Sequence, residues 1–214
     1  FWVVLAIFGG ALSISSVEDL IYPALFVIAG FIAILSHEMG HALVGRKLGG
    51  GQQTIVLELF GGLTSSHGMQ LTRGGRALMI LAGPMMTLLL GIISLWLTWN
   101  IVAPVMTSYN LNFWDLAISP FTAALISPKL YILSCLIMIG EWWTILNLLP
   151  IYPLDGGQLI AQYIRSPRKV FMTGFITAIL IGLLSFQLFH GYFIPIFMAL
   201  FAYSNYREYK NAPF

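Results

Sequence analysis

Three polar side chains interrupt a hydrophobic stretch of the sequence, FIAILSHEMGHALVGRK (residues 31–47). His37 and His41 are four positions apart, so on a helix both imidazoles lie on one face. Glu38 completes the pattern His-Glu-x-x-His, in which two histidines bind zinc and the glutamate is a general base. An ionisable residue inside a membrane helix costs about 2.5–3.5 kcal/mol, so three together predict a functional site. A hydrogen-bonded polar packing cluster is the structural alternative.

Composition places these residues in a membrane protein. Of the 214 residues 58% are hydrophobic and 8% are charged, whereas a soluble domain carries roughly a quarter charged residues. The chain is therefore predicted to lie in the lipid bilayer. A net charge of +2 does not indicate nucleic acid as a partner. The single cysteine, Cys135, excludes an intramolecular disulfide.

The apolar runs predict an all-α polytopic membrane protein with about six transmembrane helices, each near the 20 residues that a span requires. The predicted spans are residues 1–16, 22–45, 77–100, 129–149, 170–189 and 191–206.

Lysine and arginine accumulate on the cytoplasmic side of membrane proteins, and here they predict the orientation. With six spans, nine of the ten basic residues fall on one side, namely Arg46, Lys47, Arg73, Arg76, Arg165, Arg168, Lys169, Arg207 and Lys210. We therefore expect a multi-pass protein of the cell membrane with both termini cytoplasmic. His37 precedes Arg46 by nine residues, or about 13 Å of helix, which predicts a site within the hydrocarbon that opens toward the cytoplasm.

One segment between spans does not resemble a helix or a simple loop. QQTIVLELFGGLTSSHG (residues 52–68) alternates apolar and polar residues on either side of Gly61 and Gly62. This pattern predicts a small re-entrant or interfacial β-hairpin with its tight turn at the two glycines.

A catalytic zinc site has three protein ligands and one open position, so the two histidines need a partner. The candidates are His67, His190, Glu58, Glu141 and Asp155. Asp155 follows Pro150 and Pro153, which end a span near the cytoplasmic side, and it precedes two glycines that permit a bend. Asp155 is therefore the predicted third ligand. Its structural alternative is an N-cap for the helix that follows.

Two motifs, SHEMGHA and NLLPIYPLDGG, stand about 110 residues apart. Together they resemble the site-2 protease family of intramembrane zinc metalloproteases, over residues 31 to about 165. The segments FGGLTSSHG, LAGP and YSNYREYK are most similar to the branch that contains the bacterial sporulation factor protease. The resemblance implies one zinc ion per chain on His37, His41 and Asp155, with Glu38 as the base.

The same resemblance implies two contacts with substrate. Asn147 would hold substrate or stabilise charge near the metal, and the hairpin edge near Gly61 and Gly62 would pair with substrate. Some family members have asparagine where this chain has Thr87, for which helix packing is an adequate role. We expect a single transmembrane protease domain over residues 1–214, with its core at 22–165 and with no PDZ or nucleotide-sensing domain.

The sequence thus predicts a zinc metalloendopeptidase that cleaves transmembrane or membrane-associated proteins. The competing interpretation is a metal-ion transporter or channel, because intramembrane histidine and aspartate also line ion pathways. A membrane scaffold with structural zinc is disfavoured because such sites usually have four protein ligands. The sequence does not indicate an oligomeric state.

Overall fold

The computed structural model describes residues 6–7, 9–13, 16–17, 20–49, 51–58, 61–68, 70–103 and 119–213. After a short 3₁₀ turn at Ala11–Ser13, its elements are α1 (Ile21–Gly49), β1 (Gln52–Glu58), β2 (Gly61–His67), α2 (Arg73–Val102), α3 (Pro120–Ala124), α4 (Pro128–Asn147), α5 (Asp155–Tyr163), α6 (Pro167–Phe189) and α7 (Phe193–Asn211). The chain divides into two compact units, Phe1–Thr144 and Ile145–Phe214. The single domain predicted over residues 1–214 stays a prediction.

Four helices in the described part of the chain are long and apolar enough to cross a membrane. They are Ile21–Gly49, Arg73–Ile101, Pro128–Asn147 and Pro167–Leu188, and they match four of the six predicted spans. Half of the residues in the predicted span at 1–16 lie outside the described part of the chain. The predicted span at 191–206 is helical, but its helix α7 is not among the four that are apolar enough to cross a membrane. This helix also contains the charged residues Arg207, Glu208 and Lys210. Six spans are therefore not confirmed.

In the first unit, small residues let α1 pack closely against its neighbours. A stripe of residues spaced four apart on α1 is buried along its whole length; it consists of Ala29, Ala33, His37, His41 and Gly45. Ala29 also joins a core cluster with three residues of α4, namely Tyr131, Cys135 and Leu136. The stripe therefore faces protein, and its small residues let other helices approach α1 closely.

The predicted β-hairpin is confirmed, but the predicted position of its turn is wrong. β1 and β2 pair antiparallel, from Gln52 opposite His67 to Glu58 opposite Gly61. Gly61 and Gly62 therefore begin β2, and the connection consists of residues 59–60, which lie outside the described part. Gly62 is needed for a close contact with α1 and not for a turn, as described for the site below.

In the second unit, α6 and α7 pack together across a core of Ile151, Ala178, Met198 and Ala202. The loop between α4 and α5 folds tightly onto the start of α5. A Cβ on Gly156 would overlap the carbonyl oxygens of Leu148 and Leu149. The glycines after Asp155 are thus required by a close backbone approach, in addition to any bend that they permit.

A side chain of α7 holds this loop. Asn205 Nδ2 donates to the carbonyl oxygen of Tyr152 at 2.6 Å and to that of Phe201 at 2.9 Å. Asn205 is only 1% exposed, so water does not replace the bond when the amide is removed. The segment that precedes Asp155 is therefore anchored to the last helix of the unit.

We expect Asn205→Ala to lower the free energy of unfolding by about 1–3 kcal/mol, because the Tyr152 carbonyl loses its buried donor. The measurement is the thermal unfolding midpoint in detergent, together with the rate of limited proteolysis near Tyr152. Asn211→Ala, at the exposed end of the same helix, is the matched control. Equal midpoints for the two variants would contradict the anchoring role of Asn205.

Candidate metal centre

The two histidines of α1 meet at their Nε2 atoms. His37 Nε2 and His41 Nε2 are 3.1 Å apart, and the ring centroids are 4.8 Å apart. His37 is 2% exposed and His41 is 8% exposed. The helical spacing read from the sequence therefore does bring both imidazoles to one buried point.

The other ring nitrogen of His41 fixes its tautomer. His41 Nδ1 lies 2.8 Å from the backbone carbonyl oxygen of Met79 on α2. Because a carbonyl oxygen only accepts, Nδ1 must carry the hydrogen. A neutral His41 then presents the lone pair of Nε2, which is the form that binds a metal.

Thr87 fixes the tautomer of His37 in the same way. The Thr87 hydroxyl donates to the carbonyl oxygen of Gly83 at 2.9 Å, so its single hydrogen is already used. His37 Nδ1 is 3.1 Å from Thr87 Oγ1 and therefore donates to it. His37 Nε2 is thus also the nitrogen with the lone pair. Thr87, for which packing was an adequate role, holds an imidazole in place.

This pair fits a metal cation on two grounds. Two lone pairs that face each other repel, and a cation between them turns the repulsion into two ligand bonds. Nitrogens bound to one tetrahedral zinc lie about 3.3 Å apart, because each Zn–N bond is about 2.0–2.1 Å. Gly83 of α2 also leaves space there, since a Cβ on it would lie 2.9 Å from His37 Nε2 and would overlap His41 Nε2.

Glu38 points to the hairpin. Its side chain is 5% exposed, and Thr64 of β2 donates a hydrogen bond to Glu38 Oε2 at 2.6 Å. Gly62, two residues earlier on the same strand face, has room only for a hydrogen, because a Cβ there would lie 2.6 Å from Glu38 Cδ and Oε1. The strand therefore packs directly on the carboxylate that the sequence predicts as the base.

Asp155 and Asn147 belong to the second unit. Asp155 is the first residue of α5 and is 5% exposed, and the N-cap position is occupied by Leu154. The N-cap alternative for Asp155 is therefore not what the structure shows, although a carboxylate in the first helical turn is still favoured by the helix dipole. Asn147 ends α4 and is 8% exposed.

The other ligand candidates are at exposed positions or have side chains outside the described part. His67 on β2, His190 at the C-cap of α6 and Glu141 on α4 are exposed. Nothing is described for the side chain of Glu58. None of the described candidates besides Asp155 is buried.

The sequence did not single out Thr64, and it left Thr87 with a packing role. Thr87 follows Gly83 by four residues, which places both on the face of α2 that meets α1. Thr64 lies two residues after Gly62, on the same face of an alternating strand. The roles of Thr64 and Thr87 can be inferred from these spacings only when the element that packs against each residue is known.

Comparison with known proteins finds relatives that are named zinc metalloproteases. The family model described as peptidase family M50 matches residues 25–189. A zinc metalloprotease of Methanocaldococcus jannaschii is 28% identical over 203 residues, which are 90% of this chain and 51% of that protein. The putative zinc metalloprotease Rip3 of Mycobacterium tuberculosis is 30% identical over 132 residues, or 62% of this chain and 29% of that protein. The chain thus spans about half or less of the length of these relatives.

Among solved structures, the site-2 protease from Methanocaldococcus jannaschii has the same fold. The TM-score is 0.59 at 22% sequence identity, and the match covers 97% of this chain and 87% of that chain. Similarity to the sporulation protease branch stays a prediction. Because the family model covers residues 25–189, well over half of the sequence, this chain belongs to peptidase family M50, the site-2 protease family that its motifs resemble.

Proposed function

We propose that this chain is an intramembrane zinc metalloprotease that hydrolyses peptide bonds of transmembrane or membrane-associated proteins. One observation carries the proposal: the Nε2 atoms of His37 and His41 converge to 3.1 Å on a buried face of a membrane-length helix that also bears Glu38. Membership in the M50 family and the names of the relatives, which are zinc metalloproteases, support the same activity.

We assign one Zn²⁺ per chain to His37, His41 and Asp155. Two neutral imidazoles and one carboxylate are a ligand set that catalytic zinc uses, with the fourth position left for water. The support for Asp155 is its place in the PLDGG motif, its burial and its carboxylate at the first turn of α5.

When bound, Zn²⁺ supplies Lewis acidity, which makes water easier to deprotonate and a carbonyl easier to attack. Glu38 accepts a proton from the attacking water, whose oxygen forms a bond to the scissile carbonyl carbon. Glu38 then returns this proton to the leaving amine as the C–N bond breaks. One water is consumed, a new carboxyl and a new amino terminus result, and Glu38 ends as it began. The Asn147 amide is proposed to donate to the developing oxyanion.

The hairpin is proposed to hold the substrate in an extended form. A transmembrane helix hides its peptide bonds in internal hydrogen bonds, so it must unwind locally before attack. Within the described residues the sheet has two strands, and each therefore keeps one outer edge to which a substrate strand can add. Gly61 and Gly62 begin β2, and the contact of Gly62 with the Glu38 side chain brings that strand close to the base.

The chain is proposed to be a multi-pass protein of the cell membrane, with both termini and the opening of the site on the cytoplasmic side. The distribution of lysine and arginine supports this orientation. The single protease domain with its core at residues 22–165 is part of the same proposal.

Glu38→Gln is expected to lower cleavage by about 10²- to 10⁴-fold while zinc stays bound, because the amide cannot accept the proton but the ligands are intact. The assay reconstitutes the purified chain with a panel of tagged single-span membrane proteins. The best-cleaved member is the reporter, and zinc is measured by mass spectrometry.

Glu141→Gln is the matched control, since it makes the same substitution at an exposed position of α4. Undiminished cleavage by Glu38→Gln would refute the assignment of the base. Zinc flux into proteoliposomes, with no cleavage of any panel member by the unaltered chain, would instead favour the transporter.

Asp155→Ala is expected to remove most of the bound zinc, because two imidazoles alone hold the ion weakly. The zinc-to-protein ratio after dialysis is the measurement, with Glu141→Ala as the control for loss of a carboxylate. A ratio equal to that of the unaltered chain would remove Asp155 from the ligand set.

Thr87→Val is expected to weaken zinc binding roughly 10- to 100-fold, because His37 Nδ1 loses the oxygen that orients its ring. Thr87→Ser should restore the affinity. Thr98→Val is the control, since Thr98 is equally buried on α2 and makes the same kind of bond, to the Ser94 carbonyl at 2.8 Å. Zinc affinity is measured by competition with a chelator. Equal zinc affinities of Thr87→Val and Thr98→Val would contradict the role of Thr87.

A further inference from the structure

The hairpin touches the proposed base as well as offering an edge to substrate. Thr64 Oγ1 lies 2.6 Å from Glu38 Oε2 and 3.2 Å from the Glu38 backbone carbonyl oxygen. A hydroxyl has one hydrogen, and the shorter contact with the carboxylate receives it. At 2.6 Å this is a short hydrogen bond within the range for a hydroxyl and a carboxyl oxygen.

We propose that Thr64 is a positioning residue for Glu38, through which strand β2 sets the orientation of the base. The proposal rests on the proposed protease function and adds to it a residue outside the metal and base motifs. Thr64 acts through Glu38 and is not assigned a contact with the reacting atoms.

Burial is the first reason that the bond matters. Glu38 is 5% exposed, so water does not satisfy its carboxylate as it would at a surface. A buried carboxylate without donors is costly, and the Thr64 hydroxyl supplies one directly. Valine at position 64 keeps the shape of the side chain and removes the donor.

Confinement of the Glu38 carboxylate by β2 is the second reason that the bond from Thr64 matters. Gly62 leaves no space for a side chain between β2 and the Glu38 carboxylate. With the strand backbone against Oε1 and the Thr64 hydroxyl on Oε2, the strand restricts both oxygens of the carboxylate.

A link between substrate and base follows from this arrangement. The strand that is proposed to pair with substrate also carries the donor that orients Glu38. Because β2 contacts both carboxylate oxygens, the position of this strand sets the position of the carboxylate. The rate of the chemical step should depend on Thr64 even though substrate affinity does not.

The test compares Thr64→Val, Thr64→Ser and Ser66→Ala in the reconstituted chain with the reporter protein. Ser66 is the matched control because it lies on the same strand face and donates to Gln53 Oε1 at 2.5 Å, away from Glu38. We expect Thr64→Val to lower kcat roughly 10- to 100-fold with KM and zinc content unchanged, and to lower the unfolding midpoint because the buried carboxylate loses a donor. Thr64→Ser and Ser66→Ala should stay within about threefold of the unaltered chain.

An unchanged kcat in Thr64→Val would overturn the proposal. An equal loss of activity in all three variants would overturn it too, as would a loss of activity that comes from a higher KM or from a lower zinc content. Infrared spectroscopy gives a second readout that needs no cleavage. The carboxylate band of Glu38, identified by subtraction of the Glu38→Gln spectrum, should shift in Thr64→Val and not in Ser66→Ala. If the unaltered chain cleaves no reporter, the protease function fails, and the infrared shift still decides whether Thr64 holds Glu38.

Discussion

A charged or polar side chain that enters a hydrocarbon layer gives up its hydrogen bonds to water, and the protein must replace them. His37, Glu38 and His41 are buried within five residues of a helix long enough to cross a membrane. Each has a partner from another element: a hydroxyl and a carbonyl of α2 for the imidazoles, and a hydroxyl of β2 for the carboxylate. The packing of α2 and of the hairpin on α1 is therefore inseparable from the chemistry of the site.

The need for close approach explains the small residues around these groups. Gly83 permits α2 to lie against the imidazole pair, and Gly62 permits β2 to lie against the carboxylate. Two separate elements thus approach one helical turn from different directions. In both cases the same segment brings a threonine hydroxyl into range, as Thr87 on α2 and Thr64 on β2.

The sequence predicted those features that depend on local periodicity. The four-residue spacing of His37 and His41 determines a shared helix face, and apolar length identified the four helices that can span a membrane. The predicted turn position was wrong because a pair of glycines in the sequence is compatible both with a turn and with a strand that packs on a carboxylate. The roles of Thr64 and Thr87 could not be predicted because each depends on a distant partner. Thr64 is 26 residues from Glu38, and Thr87 is 50 residues from His37.

The bond from Asn205 to the Tyr152 carbonyl joins residues 53 positions apart. During synthesis, the loop that leads to Asp155 leaves the ribosome well before the helix that anchors it. That loop therefore receives its anchor only when nearly all of the described chain has been translated and inserted. A nascent chain that stops before α7 lacks this constraint on the segment that carries its proposed third ligand.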